Sequence, residues 1–334
     1  MRTRRPRWLL AAGWGWLAAT MVCALAAGSV PISLGEVLRA LSDAARRAAP
    51  ADGAAYAIVV ELRLPRVVLA VVVGVALSTS GAVYQTLFRN PLADPYVVGV
   101  APGAALGAVV AIAAGLGGVA VSLAAFASAG AAVFLVYRLA ASRGRGPEDL
   151  LLSGLAAGTF FAAVLSVVLV LSHGSLQQAL AWLLGSLGGR GWEHVRLAGP
   201  VVLAGYALAR GSARELDVLL LGEEEAASAG VAVRRARGLL VTAATLMTAA
   251  AVASAGLVGF VGLVVPHAVR RLSGPAHATL LPAAALWGAA VVVWADLLAR
   301  TVAPPLEIPV GAVTALVGVP FFLWLLWRPG PVSP

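Results

Sequence analysis

The groups that could do chemistry are few in this sequence, and they fall in three places. Glu223, Glu224 and Glu225 form an acidic triplet within LGEEEAASAGVAVRRARG, in a chain with 15 acidic residues among 334. Arg63 and Arg66 stand either side of Leu64 and Pro65 in VELRLPRVVLA, while Asp296 and Arg300 are four residues apart in WADLLARTVAPPLEIPVG. His267 and His277 lie in GFVGLVVPHAVRRLSGPAH. A protein metal site needs several His, Cys or carboxylate ligands at matched spacing, and neither histidine has such a neighbour, so no metal is expected. All 24 basic residues are arginine. Without lysine there is no G-x-x-x-x-G-K-[ST] phosphate loop and no Schiff base, so any ATP-driven work requires hydrolysis on another chain. The apolar segments hold no His or carboxylate cluster, which speaks against a membrane enzyme.

These groups sit in an apolar background. The chain is 60% hydrophobic and 12% charged, with mean hydropathy +0.92, far from the quarter or so of charged residues usual in soluble domains. It reads as an all-α integral membrane protein. The net charge of +9 comes from arginines at the ends of apolar segments and not from a basic stripe with interleaved aromatics, so it reads as topology and not as nucleic-acid binding. One cysteine, Cys23, excludes an internal disulfide. The N-terminus has a basic head and an A-x-A-like end, as a secretory signal does, but its apolar run from Trp8 to Gly28 is long enough to span.

Apolar runs occupy roughly residues 8–28, 65–86, 95–115, 117–137, 149–171, 194–209, 279–299 and 310–327. The run 238–269 has 32 residues, about 48 Å as a helix, which exceeds a single crossing of a ~30 Å layer. Gly256, Gly259, Gly262 and Pro266 supply a break, predicting a full span to about residue 257 and a shorter return pass. About ten spans result, with both termini cytoplasmic and 16 of the 24 arginines inside. A single pass would leave 13 against 11 and nearly erase the positive-inside asymmetry. In the outer connection 28–63, Ser33 and Glu36 form a capping box, and Leu34, Leu38 and Leu41 share the face of a short surface helix.

Asp94 and Pro95 read as the N-cap and first residue of the third span. Gly99, Gly103 and Gly107 then recur every fourth residue, a smooth face for close helix packing. Arg63 and Arg66, on the outer side, are either interfacial anchors or a receiver for an acidic partner, since they run against the positive-inside preference. Asp296 and Arg300 could pair internally, or Arg300 could join the outward-facing arginines. The triplet lies in the longest cytoplasmic connection, from Arg210 to Arg237, read as two short helical pieces split at Gly230. Acids open the first and arginines close the second, as helix dipoles favour, and the small apolar residues between them suit coverage by another protein.

With these stretches in order, the chain resembles the FecCD family, the permeases of ATP-binding-cassette importers for iron-siderophores, haem and vitamin B12. The residues carrying the likeness are LRLPR (62–66), SGAVYQTLFRNPLADPYVVGVAPGAALGA (80–108), WLLGSLGG (182–189), LGEEEAASAGV (221–231), GLVGFVGLVVPHAVRRLSG (256–274), ADLLAR (295–300) and EIPVGAVTALVGVPFFLWLL (307–326). The resemblance implies a type II importer permease, a single transmembrane domain over residues 1–334 with cytoplasmic coupling helices at about 215–237. It implies a second permease subunit, identical or related, a dimer of ABC ATPases holding ATP and Mg, and a periplasmic or lipid-anchored substrate-binding protein, all at the bacterial cytoplasmic (inner) membrane. No cofactor would sit on this chain. Leu221, Gly222, Glu223, Glu224, Glu225, Ala227, Gly230 and Val231 match the ATPase-coupling segment. Arg63, Arg66 and Arg300 match the family's basic receptor for acidic knobs on the binding protein, and residues 149–171 and 310–327 match its pore-facing helices. The turn GRGPEDLLLSG departs from the family, with Pro147 and Glu148 where small hydroxyl residues are usual near the gate. The alternative is a secondary transporter driven by an ion gradient, which would place ionisable groups near the bilayer midplane. These spans are nearly free of them.

Overall fold

The computed structural model describes residues 7–47, 52–141, 147–172 and 174–327, and among them there is helix and no strand. Of the gate turn singled out above, residues 144–146 lie outside the described ones, whereas Pro147 and Glu148 open a helix. In chain order the helices are α1 (Arg7–Ala26), α2 (Leu34–Arg46), α3 (Gly53–Tyr56) and α4 (Leu64–Leu87), the last two joined by a π-helical stretch, Ala57–Arg63. Then come α5 (Val100–Ala113), α6 (Val119–Ala141), α7 (Pro147–Leu171), α8 (Leu176–Leu183) and α9 (Trp192–Gly211). Two short helices follow, α10 (Ala213–Leu219) and α11 (Glu223–Ser228), then α12 (Val233–Ala255), α13 (Val261–Ser273), α14 (His277–Thr301) and α15 (Val310–Trp327). Among the described residues, six helical segments are long and apolar enough to cross a membrane: α1, the run 53–87, α6, α7, α12 and α14. The apolar α5 and α15 are shorter.

The centre is α4 against α14, α12, α9 and α13. Side chains as large as Leu do not fit where α4 meets α14: a Cβ on Gly74 would lie 2.6 Å from the Ala289 Cα, and one on Gly288 2.5 Å from the Ser78 Cβ. Small residues bring the backbones together because lipid supplies no hydrophobic drive and packing must do so. Of the span windows, α7 is the least covered, with 11% of its residues buried.

The long apolar run does break, at Gly256, whose φ of +72° suits glycine. Pro266 is not part of the break and sits inside α13. A Cβ on Gly185 would lie 3.1 Å from the Leu257 carbonyl carbon, and one on Gly311 3.3 Å from that of Leu184. The interruptions after α8, after α12 and before α15 thus meet backbone to backbone. Asp94 does not cap a helix. Its Oδ1 accepts from the Tyr96 N–H at 2.8 Å in a turn, and α5 begins six residues later behind Gly99 at φ +82°. The stretch between folds inward, with the Tyr96 hydroxyl donating to the Val258 carbonyl at 2.9 Å and Pro95 against Gly262. The capping box of α2 forms as its sequence predicts. Its packed face is Val37 and Ala40, however, while Leu34 and Leu38 are exposed.

Candidate functional site

Two polar clusters lie at opposite ends of the bundle. At the end carrying α2, the sequence brings Arg63 and Arg66 to the start of α4 and Asp296 and Arg300 to the last turns of α14. Arg66 donates from Nε to Asp296 Oδ1 at 2.9 Å and Oδ2 at 3.1 Å, and from Nη1 and Nη2 to the two Glu307 carboxylate oxygens at 3.0 Å each. A guanidinium's planar fork suits such two-sided bidentate pairing. Asp296 is 1% exposed and Glu307 47%. Arg300 lies 3.5 Å from Asp296, so the pair expected within α14 exists but is secondary to Arg66.

Arg63 and Arg300 are not free outward cations: each is only 6% exposed. Arg63 donates to the carbonyls of Leu25 at 2.7 Å and Ala26 at 2.9 Å and to that of Val30, and Arg300 donates to that of Ala24. These carbonyls belong to or follow the last turn of α1, which has no basic residue of its own there. A helix C-terminus leaves carbonyls without partners and carries partial negative charge, and two arginines remote in sequence satisfy it. Gly28 leaves room for the Arg63 guanidinium, since a Cβ would stand 2.7 Å from its Nη2. All three arginines, with Arg190, Glu61, Glu193 and Glu307, line one cavity of about 520 Å³. Sequence reasoning missed Glu307, whose signal was its place in the proline-rich PPLEIP stretch, where a charged residue follows α14 after a short turn and meets Arg66 of α4.

The acidic triplet occupies the opposite end. Glu223, Glu224 and Glu225 form the first turn of α11, where the helix dipole favours acids, and all three are exposed. Leu221 beside them is 70% exposed, and Ala227 and Gly230 also face outward. Gly222, at φ +146°, is buried under the turn, and Val231 is half-buried. Glu223 pairs with Arg237. The second helical piece expected after Gly230 is not separate, because VRRARG forms the opening turns of α12, so the connection is continuous with a long helix.

Behind α11, α10 is tied to the core. Asp217 Oδ1 accepts from the His277 backbone N–H at 2.8 Å and lies 2.7 Å from His277 Nδ1, while His277 Nε2 lies 2.7 Å from the Thr86 hydroxyl. Burial acts to raise the Asp217 carboxyl, but the hydrogen bonds from His277 and the charge of Arg270 outweigh it and hold the carboxyl below its ordinary range. His277, a metal candidate by type alone, therefore joins α10, α4 and α14. Of the spaced glycines, Gly103 and Gly107 are where α6 approaches α5: a Cβ on Gly107 would stand 2.5 Å from the Ala124 carbonyl oxygen. Gly99 differs, meeting only ordinary contacts and serving the turn into α5.

Comparison with known proteins gives these geometries a context. A model described as the FecCD transport family matches residues 16–328. The cobalamin import system permease protein BtuC of Halobacterium salinarum is 51% identical over 274 residues, covering 81% of this chain and 74% of that protein. The Fe(3+) dicitrate transport system permease protein FecD of Escherichia coli K12 is 41% identical, covering 82% and 86%. A solved structure described as an inward-facing conformation of a metal-chelate type ABC transporter superposes with TM-score 0.86 at 29% identity, covering 95% of this chain and 98% of that one.

Proposed function

The chain belongs to the FecCD transport family, and from that premise we propose that it is the permease subunit of an ATP-driven importer that carries a metal chelate inward by alternating access. The observation that carries this reading is the family match over residues 16–328 together with multi-pass apolar helices. Relatives of this kind are transport permeases and not enzymes. ATP and Mg would reside on a separate ABC ATPase dimer, consistent with the absence of lysine and hence of a phosphate loop from this sequence.

On this reading α1, α4, α5, α6, α7, α9, α12, α13, α14 and α15 are ten spans of one type II permease domain over residues 1–334. The α11 end and both termini face the cytoplasm, and the α2 end faces the periplasm across the bacterial inner membrane. The exposed α7 and α15 line the translocation path against a second permease subunit, identical or related. Leu221 to Glu225, with Ala227, Gly230 and Val231, form the face that the ATPase grips, within the coupling region of about 215–237. The cavity bearing Arg63, Arg66 and Arg300 receives acidic groups of a periplasmic or lipid-anchored binding protein. The relatives described above are named for cobalamin import and Fe(3+) dicitrate transport, which supports a metal chelate as the cargo.

The test is gentle solubilisation of the tagged chain from its native membrane, followed by mass spectrometry of stoichiometric companions. A co-purifying ATPase with a phosphate loop is expected, along with one or two kinds of permease chain. A folded, monodisperse sample with no ATPase would overturn the importer and favour ion coupling.

A further inference from the structure

The cavity at the α2 end poses a problem for any acidic group arriving there. The Arg66 guanidinium is already fully engaged, by Asp296 on one edge and by Glu307 on the other. The two carboxylates differ in kind. Asp296 is buried inside α14 and cannot leave without abandoning a charge in the core, whereas Glu307 is 47% exposed at the cavity mouth on a short non-helical connection.

We propose that Glu307 is a displaceable internal carboxylate, an occupant of Arg66 that holds the α14–α15 connection closed and that an incoming acidic protein group exchanges for its own. This rests on the reading of the cavity as the receptor for an acidic partner. The exchange is conservative in charge, because Arg66 keeps two carboxylates throughout and none is left buried without a partner. What changes is the connection 302–309, which loses its tie to α4. Among the described residues, the backbone hydrogen bonds that anchor it near α15 are the Ile308 N–H to the Ala299 carbonyl at 2.8 Å and the Val310 N–H to the Gly185 carbonyl at 3.0 Å. The second reaches the junction where the breaks after α8 and α12 meet. Docking at Arg66 is thereby wired to the first turn of α15 and to that junction. Gly188 frames the device, since a Cβ there would stand 2.9 Å from Glu307 Oε2 and the flexible carboxylate would have to shift on Arg66 to make room.

The exchange also selects for the partner. A tethered carboxylate acts at an effective concentration on the order of millimolar or more. A lone acid in solution therefore fails to displace Glu307, and a surface presenting several acids succeeds.

The experiment uses the intact complex in nanodiscs with hexaglutamate peptide as the probe, sodium acetate at equal carboxylate concentration as control, and two readouts. The first is peptide affinity. The second is hydrogen exchange of the segment 302–313, which contains the Ile308 and Val310 amides. Wild type should bind the peptide and exchange this segment faster when it is bound, and acetate should do neither. Glu307→Gln should bind the peptide about tenfold more tightly and exchange fast without it. Gly188→Ala, which makes the carboxylate shift on Arg66 while changing no charge, should move both readouts in the same direction to a smaller extent. If the peptide binds but neither variant alters affinity or exchange, the displaceable carboxylate is refuted and the receptor stands. If the peptide binds to none of the three proteins, the receptor reading itself falls.

Discussion

Replacing Asp296 by Asn should cost far more stability than replacing Glu307 by Gln, although both changes remove one carboxylate from the same arginine. Asp296 is 1% exposed, meets Arg66 at 2.9 Å and has Arg300 at 3.5 Å. Asparagine keeps one acceptor oxygen but aims an NH2 group at guanidinium donors. Breaking a buried ion pair costs about 3–5 kcal/mol because a charge is left without its partner. Arg66 would retain the bidentate Glu307, so the lower figure, about 3 kcal/mol, is expected. Glu307 is about half exposed, and pairs of that kind contribute roughly 0.2–1 kcal/mol. The two substitutions should therefore differ about threefold or more.

The assay is thermal unfolding of each variant in nanodiscs at one fixed scan rate, since membrane proteins of this size rarely refold reversibly. Asp296→Asn should lower the midpoint by several degrees and Glu307→Gln by less than half as much. The double substitution should exceed the sum of the two, because only then does Arg66 lose every carboxylate. A larger effect from Glu307→Gln would refute the division of labour in which one carboxylate anchors and the other exchanges.

Gly107→Ala should destabilise by about 1–3 kcal/mol, because its Cβ would press on the α6 backbone. Gly199→Ala, in an open helical position, should be neutral or gain up to about 1 kcal/mol; equal melting shifts would remove the packing argument for α5 and α6. Replacing Glu223, Glu224 and Glu225 together by Ala should leave folding intact and lower transport-coupled ATP hydrolysis, measured on the purified complex. The lowered Asp217 carboxyl predicts a stability contribution complete above the ordinary carboxylate pKa and lost as pH falls through the lowered value. Acid unfolding of Asp217→Asn should accordingly be less steep than that of wild type.

The sequence made the helical segments legible because an apolar run of spanning length has few alternatives, and the break at Gly256 was legible because 32 residues do not fit one crossing. Helix ends were harder. Asp94 followed by Pro95 has the composition of a helix start, yet the turn it makes lets Pro95 and Tyr96 pack inward, a tertiary demand that local chemistry does not announce. The arginines were located but their partners were not. Arg63 and Arg300 spend their donors on carbonyls of α1 more than 30 residues away, and backbone acceptors carry no residue signature. Leu34 and Leu38 shared a face as read, but a helical face alone does not say whether protein, lipid or partner covers it.

The contacts divide the chain into a body and a loosely held part. α14 spans both clusters, with His277 at its start bound to Asp217 and Asp296 and Arg300 near its end bound to Arg66 and α1. Gly74 and Gly288 bring it against α4 so closely that neither position has room for a Cβ. α10 contacts α11 on one side and α4 and α14 on the other, so on the proposed reading a push on α11 would reach that closely packed pair together. By contrast α15 touches chiefly α13 and α14 among the helices, its first turn packs through Gly311 on the Leu184 and Leu257 backbone, and the connection before it is tied by Glu307 and two backbone bonds. On the proposed reading, alternating access would be motion of this body against α15, with an ATPase pushing on the α11 face at one end and the Arg66 carboxylates acting as the latch at the other.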